Sequence, residues 1–139
     1  MGREGVTTSL VAALAAYVGL AAQKPFAYGA HDCALFAAGW VLERTGQDLG
    51  ASFRGRYSTE RGGLRVVRAA GFADHVAVFR AALTARSGWM AAMPGDVVAV
   101  LGEGRFAALG IAGHGVAYVF GDQGLTIVSL ETATEVFAL

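Results

Sequence analysis

Apolar positions fall into two regimes along the chain. From Thr8 to about Arg86 they recur at helical spacing, and from Pro94 onward they form short runs cut by glycine. Leu10 to Ala22 is almost wholly apolar, follows the capping residues Thr7, Thr8 and Ser9, and stops before Pro25, which predicts a first helix over 8–22. Asp32 caps a second helix reaching Thr45, with Gly46 as its stop and Leu35, Phe36, Trp40 and Val41 at helix spacing. A third helix begins at Ser58 or Thr59 and ends at Gly71. A fourth begins at Asp74 and aligns Val76, Phe79 and Leu83 on one face. The second half reads as strands over 96–101, 105–112, 116–120 and 125–130, with 136–139 as a short edge. Their glycine turns, Gly102-Glu103-Gly104, Gly113-His114-Gly115 and Gly121-Asp122-Gln123-Gly124, imply antiparallel pairing. Helices followed by an antiparallel sheet make an α+β fold. A length of 139 residues fits one domain spanning 1–139.

Composition narrows the function classes. Eleven basic and eleven acidic residues cancel, so a dedicated nucleic-acid binder is not expected. An apolar content of 55% excludes a disordered chain. Charged residues make up 16%, well under the roughly 25% of an average domain. Either partner proteins cover apolar surface, as in a subunit of an assembly, or Ala and Gly inflate the apolar count. The first apolar run is too short for a membrane span, and Glu4 cancels the Arg3 charge that a leader would need. A soluble chain with no membrane span and no signal peptide is expected. The single cysteine, Cys33, excludes an internal disulfide and a multi-cysteine zinc site, and no metal or other cofactor is expected.

Cys33 follows the cap Asp32, so it lies in a first helical turn. There the open amides and the helix dipole favour a thiolate, which could act as a nucleophile beside a suitable base. Equally, a free cysteine often serves only as a small packing residue. Of the three histidines, His31 lies nearest in sequence and is the first candidate for the base. His75 reads as a solvated first-turn residue and His114 as a turn residue. Arg54, Arg56, Arg61, Arg65 and Arg68 surround Tyr57 and either grip an acidic partner or form a solvated face. Trp40 and Trp89 read as core or interface anchors.

The string from Phe26 to Phe36, with Gly29, Asp32 and Cys33 at its key places, resembles the "aromatic-x-x-Gly-x-x-Asp-Cys" start of the NlpC-type cell-wall cysteine peptidases. Pro94-Gly95-Asp96-Val97 is similar to the segment leading into that family's first sheet strand, and Leu109-Gly110-Ile111 to its second. Tyr57-Ser58-Thr59 resembles the small NlpC-like proteins of phage and gene-transfer-agent tails. The resemblance spans about 10–130. It implies a papain-like (NlpC-type) fold with N-terminal helices packed on a C-terminal antiparallel sheet.

By that resemblance Cys33 is the nucleophile, but Ala108 stands where the family keeps its histidine. His114 lies six residues further on, about 20 Å along a strand. Three functions follow as expectations. One is a tail-tip or baseplate structural or assembly subunit with a degenerate site, whose partners are other tail proteins. It would reside in the virion tail, or in the bacterial cytoplasm before assembly. The second is a thiol endopeptidase that cuts peptidoglycan peptides with Cys33 and a borrowed base. The third is a module that holds a peptide without cutting it.

Overall fold

Side-chain caps fix where three of the four helices begin. Asp32 Oδ1 accepts from the Leu35 amide (2.9 Å), Thr59 Oγ1 from Gly62 (2.9 Å) and Asp74 Oδ1 from Ala77 (2.9 Å). The computed structural model describes residues 3–102 and 106–139. Its helices are α1 (Arg3–Ala21), α2 (Cys33–Thr45), α3 (Glu60–Ala69) and α4 (His75–Ala82). α2 ends where expected, at Gly46 in the left-handed region (φ 80°). α1 starts well ahead of Thr8 and runs through the threonines expected to cap it. Holding a threonine inside a helix costs only about 0.5 kcal/mol, too little to force a start there.

The strands are β1 (Thr84–Ala85), β2 (Val97–Val100), β3 (Ala108–Ala112), β4 (Val116–Gly121), β5 (Gly124–Ser129) and β6 (Ala133–Ala138). They form one antiparallel sheet in the order β1-β6-β2-β3-β4-β5. β2 to β5 are the expected meander. The last strand is not an edge, as the sequence suggested, because it pairs with β2 on one side and β1 on the other. Leu130–Thr132 forms a 3-10 turn that carries the chain back across the sheet. β1 is a two-residue strand with no pattern of its own in the sequence, so the strand after Pro94-Gly95-Asp96 is second in the chain. The strand expected from 105 begins at Ala108. Of the expected 102–104 turn, only Gly102 is among the described residues.

Alternation along the strands separates two apolar layers. Val97, Ala99, Leu109 and Phe137 meet α2, α3 and α4 through Ala37, Val41, Val67 and Phe79. Val98, Val100, Ala112, Ala117 and Val136 pack on the opposite face. β2, buried on both faces, is the unbroken apolar run Val-Val-Ala-Val. α1 seats Leu14 and Ala21 beside Phe36, Trp40 and Phe120, and leaves Val11 and Leu20 exposed.

Trp40 is fully buried and its Nε1 donates to the Gly95 carbonyl (2.8 Å), which ties α2 to the turn before β2. In that turn Asp96, 3% exposed, accepts from the Met93 amide (2.8 Å) and from Arg86 Nε (2.5 Å). Trp89, by contrast, is partly exposed. No described helix is long and apolar enough to cross a membrane.

Candidate active-site cleft

The cleft is built outward from one buried carboxylate. Asp32 is 4% exposed and takes three hydrogen bonds. Oδ1 caps α2 at Leu35, while Oδ2 accepts from the Gly29 amide (2.9 Å) and the Tyr57 hydroxyl (2.5 Å). Asp32 is therefore a cap that also locks two loops together. Gly29 permits this: its φ is +81°, and a Cβ there would lie 2.0 Å from the Tyr57 carbonyl oxygen. The Gly55 amide donates to the Gly29 carbonyl (2.8 Å), closing the same contact from the other side. Burial, then the hydrogen bond to Asp32, pushes the Tyr57 hydroxyl far above its ordinary pKa, so it remains a donor. In the sequence Tyr57 stands out as the centre of the arginine-dense stretch and as the start of Tyr57-Ser58-Thr59, not as a partner of Asp32. The one signal for its role was a capping aspartate with acceptor capacity left over.

Cys33, half-buried, opens α2 on the wall of a cleft of about 800 Å³. Burial pushes its thiol up from 9.0 to about 11. The backbone amides of Leu109, Ala34 and Cys33 itself pull the other way, and the Asp32 charge reinforces the rise. Desolvation thus outweighs the helix-start amides, which by themselves favour a thiolate.

The histidines are dispersed. His31 forms a backbone bridge with Ala27 and lines a second, smaller cleft beside Tyr17, Lys24 and Arg54, a cleft that Cys33 does not line. His114 is exposed in its turn. His75 lines the large cleft with Cys33 and is half-buried, where sequence reading expected a solvated residue. Its Nε2 lies 2.7 Å from the Ala107 carbonyl. A carbonyl only accepts, so Nε2 is the donor in this contact. Among the described residues no imidazole is hydrogen-bonded to Cys33. Ala107 packs on the helix side of the sheet and Ala108 on the far side. Neither offers a base.

Residues 8–139 match the family model described as Domain of unknown function (DUF6950). The chain belongs to this family. No curated protein and no solved structure matches it. Asp32, Cys33, Tyr57 and His75 all fall inside the matched span, so the cleft belongs to the family domain.

Chemically, the cleft offers a protonated thiol, an imidazole at His75 and a mostly apolar wall. Among the described residues no group of three His, Cys, Asp or Glu side chains is placed to hold a metal ion. The arginine-dense stretch is divided. Arg54 grips Asp48 through two 3.0 Å bonds, whereas Arg61, Arg65 and Arg68 lie on the exposed side of α3, away from Val67.

Proposed function

We propose that this chain is a structural or assembly subunit of a phage-type tail tip or baseplate. In this reading it is built on an NlpC-like, papain-type fold whose thiol site no longer cuts peptides. The observation that carries the loss of chemistry is the setting of Cys33: among the described residues no imidazole is hydrogen-bonded to it, and burial pushes its thiol up to about 11. A thiol peptidase needs the reverse, a thiolate activated by a neighbouring base. The exposed Val11, Leu20, Met90, Met93 and Ile127 and the low charge support a chain that meets other subunits.

The test is made on particles. Cys33→Ala is expected to be incorporated into tails, and the particles to infect as the parent does. Absence of the chain from purified particles would overturn the assembly reading. Intact particles without infectivity would instead establish the hydrolase.

That second reading has one observation in its favour: His75 shares the cleft with Cys33. Here the Cys33 sulfur adds to an amide carbonyl, and its proton passes through His75 Nδ1 to the leaving amine. Water then hydrolyses the thioester. Amides at the α2 start would hold the oxyanion. Under this reading His75→Ala abolishes peptidoglycan-peptide cleavage while His31→Ala leaves it unchanged. With no cleavage by the parent protein, the reading fails.

A further inference from the structure

The charges of the chain cancel, but they are not mixed in the large cleft. Its charged lining among the described residues is Asp32, Glu60 and Asp122, with no lysine or arginine. Asp32 is buried and engaged, while Glu60 and Asp122 are exposed. Other carboxylates in the fold hold arginines: Asp48 with Arg54, Glu135 with Arg80 and Asp96 with Arg86. Glu60 and Asp122 have no such partner among the described residues. Glu43, Asp74 and Glu131 also lack one among the described residues, but they line neither cleft.

Tyr28 lines the same cleft as both carboxylates. Its hydroxyl lies 3.4 Å from Glu60 Oε2. Burial, then the charge of Glu60 and more weakly of Asp122, raises its pKa. The ring is held edge-on against Phe26 at 4.8 Å, and Phe26 stacks on Phe120 at 6.2 Å. A fixed aromatic ring in a cleft whose two exposed carboxylates hold no arginine attracts a cation, and apolar walls favour an apolar stem. At about 800 Å³ the cleft exceeds one side chain, so its occupant brings apolar groups as well.

We infer that this cleft is the docking slot for a basic side chain carried on an apolar segment of a partner protein. The cation sits at Tyr28 between Glu60 and Asp122, and the flanking apolar residues enter toward Leu64 and Phe53. The slot deepens the assembly reading by giving the partner's chemistry.

The test titrates the intact protein with acetyl-Leu-Lys-Leu-amide at low salt, followed by amide NMR. Saturable shifts centred on Tyr28, Glu60 and Asp122 are expected. The norleucine peptide, which keeps the stem and lacks the ammonium, is expected to bind about tenfold more weakly or worse. The Glu60→Gln/Asp122→Asn double variant loses about the same factor for the lysine peptide and nothing for the norleucine one. Both substitutions are on exposed side chains, and thermal melts verify folding. Equal affinity for the two peptides, shifts centred elsewhere, or no saturation with either would overturn the slot. Failure here while the chain still enters particles refutes the slot alone, and absence from particles refutes the assembly reading itself.

Discussion

Alkylation of Cys33 measures the feature on which the inactive reading turns. A thiol moved from 9.0 to about 11 carries about 100-fold less thiolate near neutral pH. The rarer thiolate is also more nucleophilic. With a Brønsted coefficient of about 0.4–0.5, two units return roughly six- to tenfold. The net expectation is labelling by iodoacetamide roughly tenfold slower than for the same cysteine in urea-unfolded chain. Intact-mass analysis at a series of pH values gives both rates. The folded protein's rate should climb tenfold per unit until near 11, while the unfolded chain levels off near 9. A native profile that levels off below about 8.5, or a native rate above the unfolded one, refutes the reasoning.

Stability gives an independent check of the same shift. The folded state holds the Cys33 proton more tightly than the unfolded chain does. Its contribution is therefore complete below pH 9 and is lost as pH rises from 9 toward about 11. Two units correspond to about 3 kcal/mol. Tyr17 is also raised by burial, to about 12, and adds to the alkaline loss, so the difference between parent and Cys33→Ala isolates the thiol.

Three further outcomes test the frame around the cleft. Arg86→Ala strands the buried Asp96 charge and is expected to cost about 3–5 kcal/mol in urea unfolding, and a loss under about 1 would contradict the pairing. Tyr57→Phe removes a hydrogen bond from buried Asp32 and should cost about 1.5–3 kcal/mol, with far-UV dichroism unchanged, whereas a neutral result would mean that water replaces the hydroxyl. Gly29→Ala forces a side chain into a positive φ and against the Tyr57 carbonyl, so a midpoint equal to the parent's would show that this loop contact is dispensable.

The helices and the meander were legible because their signals are local. Asp32, Thr59 and Asp74 sit at true caps, and Gly46 sits just past α2 in the left-handed conformation a stop needs. The Val97–Val100 run also reads directly as a strand buried on both faces. What escaped is set by distant partners. β1 has only two residues and exists because β6 lies beside it. The raised Cys33 thiol depends on burial that no local pattern reports, and the helix-start rule alone pointed the other way. His75 reached the cleft because α4 packs beside the start of β3, through a bond to a carbonyl 32 residues away. Proximity in sequence favoured His31, but its bridge to Ala27 sets it on a different cleft.

The path of β6 has a kinetic consequence. Residues 133–138 fill the gap between β1 and β2, so that side of the sheet is closed by the segment made after all the other strands. Until it arrives, one edge of Val97–Val100 offers unpaired amides and carbonyls along a wholly apolar strand, a template for pairing with other chains. The closure joins segments about 35 residues apart, and nonlocal pairing of this kind is slow. Folding should therefore finish only after residue 138 has left the ribosome. A chain cut before Ala133 is expected to keep its helices yet aggregate through the open side of β2.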